Sequence, residues 1–174
     1  MLKVIHKYVV SSTQDYAWTL LPFCTSDTLV IADIQTAGRG SHRERVWVSN
    51  EGNFHGSFII NVSKIGYNSS NLSFLNTQIM LALQKTLIEI TKNNNIKIKL
   101  PNDIYYNKKK LAGVLIETSY PFAIIGIGIN LISAPLKTST SIKDAFCIEI
   151  SNKEIDFINN LYNRILLTYE NNLK

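Results

Sequence analysis

The sequence predicts an α+β domain in which a mixed, mostly antiparallel β-sheet is covered by helices. The 174 residues are 45% hydrophobic, which is enough to bury one sizeable core. Segments rich in β-branched and aromatic residues are interspersed with stretches of helical periodicity. Their order is a strand, a helix, several strands, a second helix, several strands and a closing helix. This order is typical of a mixed sheet with helices packed on it.

A half-exposed strand and a capped helix open the chain. Residues 2–10 carry β-branched and aromatic side chains interrupted by two lysines and His6, for which we expect a solvated strand position. Ser12-Thr13-Gln14-Asp15 has the hydroxyl and acid spacing of a capping box. It predicts a helix that runs through Leu21 and ends at Pro22.

Two further helices and six strands complete the predicted domain. Leucines and isoleucines three and four residues apart predict a helix over residues 73–93. A capping box at residues 151–154 predicts a closing helix whose apolar stripe extends to Tyr169. In the last strand, Gly126 and Gly128 predict the close approach of another backbone or of a ligand. The predicted strands are residues 28–34, 54–62, 96–100, 104–106, 111–118 and 122–131.

Composition excludes several classes of protein. The chain has no apolar run of about 18 residues and no signal-peptide pattern, so we expect a cytoplasmic protein without a membrane span. Cys24 and Cys147 lie far apart among apolar residues and are predicted to be buried free thiols. His55 has no ligand partner at metal-site spacing, so we expect an ordinary strand histidine and no metal site. The net charge of +5 suits a nucleotide, a nucleic acid or an acidic protein.

A glycine- and arginine-rich loop is the first candidate for chemistry. Gly38-Arg39-Gly40 follows an apolar strand, and Arg43, Arg45 and Trp47 come shortly after it. Glycine lets backbone N–H groups approach an anion, and arginine offers paired donors to phosphate or carboxylate. The loop therefore predicts an anion site, although a solvated basic turn would have the same composition.

A second group of polar residues lies downstream. Asn102 and Asp103 follow Pro101 at the end of a strand, where binding sites are commonly built. Lys110 and Gly113 follow in a hairpin, and Asn130 ends the last apolar strand. Lys110 also follows two other lysines, so a solvated hairpin tip is the alternative for this residue.

These motifs resemble, in the same order, those of the catalytic domain of biotin protein ligases. The shared elements are a glycine-arginine-glycine loop ending in Arg-x-Trp, Lys-x-Pro-Asn-Asp, Lys-x-x-Gly-x-Leu-x-Glu and Gly-x-Gly-x-Asn. The corresponding segments are residues 38–47, 99–103, 110–117 and 126–130, and residues 12–15 resemble the family's Ser-Thr-Asn element.

The resemblance implies a carbon–nitrogen bond-forming ligase of the biotin and lipoyl ligase fold, which is similar to that of class II synthetases. Such enzymes join biotin to ATP as biotinyl-adenylate and transfer the biotinyl group to a lysine of a carboxylase's biotin carboxyl carrier domain. Mg²⁺ is expected with ATP. The resemblance also admits a homodimer. It implies neither a DNA nor a membrane partner.

The resemblance also implies roles for individual residues. Lys110 and Arg39 are the implied catalytic residues, because their cations would offset repulsion between the biotin carboxylate and the α-phosphate. The implied biotin-binding residues are Ser12, Thr13, Gln14, Gln35, Gly38, Arg39, Gly40, Ser41, Lys110 and Gly113. The implied ATP-binding residues are Arg43, Arg45, Trp47, Asn102, Asp103 and Asn130.

The chain also departs from the family pattern. The loop is one residue longer between Gly40 and Trp47, and Leu100 replaces a tryptophan. Ser41 or His42 stands where a second arginine is expected, and either His42 or Arg43 would replace it. We expect residues 1–174 to form a single catalytic domain, without a winged-helix domain before it or a small β-barrel after it. A lipoate or octanoate transferase of the same superfamily and a basic module that binds RNA or protein are the alternative functions.

Overall fold

A computed structural model describes residues 2–41, 46–150 and 155–167 of the chain. Within these residues, seven strands form one sheet in the order β1-β2-β3-β7-β6-β5-β4. β1 and β2 run parallel, and the other neighbouring pairs run antiparallel, so the predicted mixed sheet is confirmed. The strands are Lys3–Val10 (β1), Thr28–Gln35 (β2), Phe54–Asn61 (β3), Lys97–Lys99 (β4), Asp103–Tyr106 (β5), Lys109–Ser119 (β6) and Phe122–Ile129 (β7).

Four α-helices accompany the sheet in the described part of the chain. The Ser12 hydroxyl caps the first of them by accepting a hydrogen bond from the Asp15 N–H, as the sequence predicts. A short third helix was not predicted, although Ser141 caps it in the same way. The predicted capping box at 151–154 and Tyr169 lie outside the described residues. The helices are Thr13–Leu20 (α1), Leu75–Thr91 (α2), Ile142–Phe146 (α3) and Ile155–Leu166 (α4).

The sheet buries apolar side chains on both of its faces. Alternate residues of β2, β3 and β7 point to opposite faces, because side chains alternate along a strand. On one face, Val30, Ile59 and Ile124 pack against Ala17 of α1. The opposite face carries the larger cluster, which includes Leu83 of α2 and the apolar residues of α4. Helix α1 is thereby fixed across the centre of the sheet, and its first residues are positioned for the site described below.

The structure also tests the single-residue predictions outside the site. Cys24 and Cys147 are free, but Cys147 is exposed and Cys24 is only half-buried, so the prediction of buried thiols is wrong. Cys147 follows the end of α3, with φ of 57°, and this position keeps it out of the core. His6 is an exposed strand residue, as predicted, and its Nε2 lies 3.0 Å from the buried Asp33 carboxylate. Across the described ranges, no helix is long and apolar enough to cross a membrane.

Candidate active site

A cavity of about 350 Å³ opens between the start of α1, the glycine-arginine loop and strands β6 and β7. Residues from both groups of sequence motifs line this cavity, although they lie far apart along the chain. The sheet order explains why, because β3, β7 and β6 are neighbours and α1 packs across β3 and β7. The predicted site residues that line the cavity are Ser12, Thr13, Gln14, Gln35, Arg39, Gly40, Ser41, Trp47, Asn102, Lys110 and Gly113.

Five predicted site residues are not among the lining residues. Arg43 and Arg45 lie outside the described residues. Gly38, Asp103 and Asn130 contact residues that line the cavity. Their predicted binding roles remain predictions.

Lys110 is held on β6 by contacts to both its backbone and its side chain. Its N–H donates to the Thr138 carbonyl at 3.0 Å, and its own carbonyl accepts from the Thr140 N–H at 2.9 Å. The Asn130 side chain also donates to the Lys110 and Thr140 carbonyls, at 3.4 and 3.0 Å. The Lys110 ammonium lies 2.6 Å from the Asp103 Oδ1 atom. A hairpin tip in open solvent would not show these contacts, so Lys110 is not a freely solvated lysine, and its role in the chemistry remains a prediction.

Trp47 packs on two glycines of the sheet. A Cβ atom on Gly128 would lie 2.4 Å from the Trp47 indole, and one on Gly113 would lie 3.2 Å from both the indole and the Lys110 side chain. The close neighbour of Gly128 is therefore a side chain, whereas the sequence predicted a backbone or a ligand. The Cβ position of Gly126 lies 2.6 Å from the Gln14 Oε1 atom and 3.3 Å from the Leu115 carbonyl oxygen, so a backbone neighbour is present there, as predicted. The buried Trp47 Nε1 atom has no hydrogen-bond partner among the described residues.

The two ends of the glycine-arginine loop are joined by short backbone contacts. The Trp47 N–H donates to the Gly38 carbonyl at 2.9 Å, and Arg39 and Val46 form an antiparallel bridge. A Cβ atom on Gly38 would lie 2.4 Å from the Trp47 carbonyl oxygen, so only glycine permits this approach. Gly38 therefore has a structural reason to be a glycine that does not involve an anion.

Arg39 lines the cavity, but its guanidinium is engaged by two carboxylates. Its Nη1 atom lies 2.7 Å from Asp15, and its Nη2 atom lies 2.6 Å from Glu117. The hydrogen bond to Glu117 raises the pKa of Arg39, partial burial lowers it, and Asp15 raises it further, with a net rise. The sequence prediction that Arg39 clamps the substrate anions remains a prediction, and its present partners give it a second role in forming the cavity wall.

A short chain of hydrogen bonds forms the polar end of the cavity. The Thr13 N–H and hydroxyl donate to the Gln35 Oε1 atom at 2.8 and 3.0 Å. The Ser57 hydroxyl lies 3.0 Å from both the Thr13 hydroxyl and the Gln14 Oε1 atom. Sequence reasoning missed Ser57, although a Gly56-Ser57 pair in an otherwise apolar strand was an available signal.

Comparison with known proteins assigns the chain to a family. The profile of the Biotin/lipoate A/B protein ligase family matches residues 7–130, which run from the second half of β1 through α1 and the glycine-arginine loop to the end of β7. The chain belongs to this family. Lys110, Trp47 and the polar end of the cavity all fall within the matched range.

Three similar proteins illustrate the relationship. The biotin-[acetyl-CoA-carboxylase] ligase of Paracoccus denitrificans is 35% identical over 130 residues, which cover 71% of this chain and 52% of that protein. The biotin protein ligase of Aquifex aeolicus, solved with biotin and ATP, superposes with a TM-score of 0.77 at 31% identity, over 97% of this chain and 70% of that one. The Leishmania major enzyme, solved with biotinyl-5-AMP, gives a TM-score of 0.82 at 26% identity, over 97% and 75%. The chain spans about half the length of the curated Paracoccus relative.

A segment between β7 and α3 completes the site in this family member, and sequence reasoning did not identify it. Leu136 lines the cavity and is 56% exposed, and Val46, on the loop, is 70% exposed and lines it too. Thr138 and Thr140 hold the Lys110 backbone, as described above. The segment, residues 130–141, has no helical or alternating pattern. Its length was therefore the one feature of the sequence that could have drawn attention to it.

A buried histidine supports the stem of the glycine-arginine loop, which is formed by Gln35 before the loop and Ser49 after it. The Ser49 hydroxyl accepts from the Gln35 N–H at 2.9 Å and lies 3.1 Å from the His55 Nδ1 atom. Burial lowers the pKa of His55 to about 4, against the opposing effects of the Ala32 and Asp33 carbonyls and the Asp33 charge. His55 is therefore neutral near pH 7 and is able to accept the Ser49 proton. His55 is a strand residue, as predicted, and it is buried. Ser49 connects its ring to the Gln35 backbone.

A resident metal ion needs several ligating side chains close together. Within residues 2–41, 46–150 and 155–167, no three His, Cys, Asp or Glu side chains cluster in a way that could hold a metal. Asp103, a nearby carboxylate, is paired with Lys110.

Proposed function

We propose that this chain activates biotin with ATP and then passes the biotinyl group to a lysine on the biotin carboxyl carrier domain of a carboxylase. In the first step, a biotin carboxylate oxygen bonds to the α-phosphorus of ATP, and the bond to pyrophosphate breaks. In the second step, the lysine amine bonds to the acyl carbon and AMP leaves. Family membership supports this proposal. So do the similar structures, one solved with biotin and ATP and the other with biotinyl-5-AMP.

One observation carries the proposal. Lys110 and the polar chain of Thr13 and Gln35 line the same cavity, so a ligand with a polar ring at one end and a carboxylate at the other can contact both. The Lys110 ammonium would bind the carboxylate and the α-phosphate and offset their repulsion. Asn102 and Trp47 would contact the nucleotide on the same side. Mg²⁺ would enter with ATP and neutralise charge on its phosphates.

The polar end of the cavity favours biotin over lipoate. The contacts from Gln14 Oε1 through Ser57 and Thr13 to Gln35 Oε1 are three in number, but the two hydroxyls supply only two protons. The Ser57 and Thr13 hydroxyls and the Gln14 Oε1 atom therefore keep acceptor capacity for a ligand N–H, while the Gln35 Nε2 atom supplies donors. A ureido ring offers both N–H groups and a carbonyl, whereas the dithiolane of lipoate offers neither.

A pyrophosphate-release assay tests the proposal. We expect turnover with biotin and ATP and none when lipoate or octanoate replaces biotin. The proposal is overturned if the chain is silent with biotin but turns over with lipoate. A basic module that binds RNA or protein would release no pyrophosphate with any of these acids.

A further inference from the structure

Glu117 lies on β6 beside the cavity and receives four hydrogen bonds from other elements. Its Oε1 atom accepts from Arg39 at 2.6 Å, and its Oε2 atom accepts from Arg39 at 3.1 Å. Oε2 also accepts from Gln14 at 3.0 Å and from the Trp18 indole at 2.8 Å. An ionised carboxylate has about four acceptor positions, two on each oxygen, so Oε2 is fully used within the protein and Oε1 keeps one position.

These bonds connect Glu117 to the polar end of the cavity. The Gln14 Nε2 atom donates to Glu117 and to the Ile124 carbonyl, at 3.0 and 3.1 Å. The amide is therefore oriented with its Oε1 atom towards the Ser57 hydroxyl. The orientation of Gln14 in turn limits how Ser57 shares its proton with Thr13. The Glu117 carboxylate on β6 thus fixes where the acceptor oxygens of this hydrogen-bond chain lie in the cavity.

Glu117 also restrains the arginine of the loop. A guanidinium beside a cavity for anionic ligands is attracted towards any carboxylate or phosphate that enters. Arg39 instead forms paired hydrogen bonds with Glu117 and one with Asp15, and its side chain is 38% exposed. Burial raises the pKa of Glu117, but hydrogen bonds from Arg39, Trp18 and Gln14 outweigh this effect and lower it. The carboxylate is therefore charged near pH 7, as the pairing requires.

We infer that Glu117 is a positioning residue for biotin, acting through Gln14 and Arg39. This inference rests on the proposed function. The Glu117 charge orders the Gln14 amide and the first residues of the loop before the ligand arrives. Without that charge, the ligand must order these groups as it binds, and the cost appears as weaker binding. Nucleotide contacts at Trp47 and Asn102 do not pass through this network.

The main test compares Glu117→Gln with Glu51→Gln, which makes the same change at an exposed glutamate outside the cavity. A glutamine at position 117 keeps the shape of the side chain. It replaces one of the two acceptor oxygens by an N–H₂ group, which cannot accept a hydrogen bond from the surrounding donors. In the pyrophosphate-release assay, we expect Glu117→Gln to raise the KM for biotin about tenfold and to change the KM for ATP less than threefold. Equal KM values in the two variants would overturn the inference. The inference would also be overturned if Glu117→Gln raised the KM for biotin and the KM for ATP in parallel and lost thermal stability to an equivalent extent.

A double-mutant cycle separates coupling from general damage. Since Arg39→Met and Glu117→Gln break the same ion pair, the double variant should raise the KM for biotin by little more than the worse single variant. Multiplicative effects would mean that the two residues act independently, which contradicts the inference.

Hydrogen exchange of the unliganded protein supplies a readout that does not need turnover. Peptides covering residues 13–18 and 36–41 should exchange several-fold faster in Glu117→Gln than in Glu51→Gln, while strands β2 and β7 stay unchanged. Unchanged exchange in those two peptides would overturn the inference even if the KM changed. Failure of the proposed function has a different signature, because the unmodified chain itself would then be silent with biotin and ATP.

Discussion

The Lys110 ammonium lies over the Trp47 indole, with its Nζ atom 5.4 Å from the ring centre. Trp47 reaches this position from the loop, and Lys110 comes from β6. The face of an aromatic ring attracts a cation, and the Asp103 carboxylate pairs with the same ammonium at 2.6 Å. The charge is therefore held in place at the cavity wall before any ligand binds.

Loss of this cation should abolish biotin activation. We expect Lys110→Met to lower pyrophosphate release with biotin and ATP by at least about 100-fold, because the charge would no longer stabilise the reacting carboxylate and phosphate. Lys109→Met is the matched control, since Lys109 is an adjacent exposed lysine that does not line the cavity. Similar rates in the two variants would contradict the assigned role. Thermal unfolding of both variants would show whether the loss reflects chemistry or folding.

The glycines under Trp47 should tolerate substitution in a predictable order. Gly128→Ala places a methyl group 2.4 Å from the indole and should displace it, at a cost of about 1–3 kcal/mol in unfolding free energy. Gly113→Ala has a gap of 3.2 Å and should cost less. The emission of Trp47, measured in a Trp18→Phe background because the chain has two tryptophans, should shift in Gly128→Ala. A stable Gly128→Ala variant with unchanged emission would show that the indole does not rest on this strand.

Much of this fold could be predicted from the chain alone, because local patterns determine it. The apolar runs of β2 and β3 and the 3.6-residue period of α2 are visible in a single segment, and the observed bounds differ from the predicted ones by one or two residues. Helix α3 was missed because five residues are too few to show a period.

The site was only partly predictable, because side-chain partners depend on how distant segments meet. The motif order indicated that Arg39 and Lys110 share a cavity, and they do. It did not show that Glu117 holds Arg39, because residues 78 positions apart give no local signal of contact. Ser57 and Leu136 were missed for the same reason.

A buried tyrosine should anchor the closing helix to the sheet. The Tyr162 hydroxyl donates to the Asp27 Oδ2 atom at 2.6 Å, while its ring stacks on Phe58. Burial, together with Asp27, raises the pKa of Tyr162, so the hydroxyl keeps its proton near pH 7. Tyr162→Phe keeps the ring but removes the donor, and we expect it to lower the unfolding free energy by about 1.5–3 kcal/mol. Tyr8→Phe, at a site 61% exposed, is the control for urea denaturation and should have little effect. Equal midpoints for the two variants would show that the Asp27 contact contributes nothing.

The neutral state of His55 should make the stability of the protein depend on pH. The pKa of His55 is lowered from 6.5 to about 4 by folding, so the unfolded chain binds a proton that the folded chain does not. The resulting stabilisation is fully present above pH 6.5, decreases as the pH falls, and is lost near pH 4. One pKa unit corresponds to about 1.4 kcal/mol, so the unfolding free energy should fall by up to about 3 kcal/mol over this range.

A substitution at His55 isolates this effect from the titration of carboxylates. His55→Gln removes the titrating ring, so urea denaturation between pH 7 and 4.5 should show a shallower loss of stability than in the unmodified chain. Ser49→Ala removes the hydroxyl beside the ring but leaves the ring buried, and it should keep the steep pH dependence. If the unmodified chain and His55→Gln lose stability in parallel, the imidazole is not held neutral by burial. In that case, the Ser49 hydroxyl could not donate to a neutral His55 ring nitrogen, and this bond would not link the stem of the glycine-arginine loop to β3.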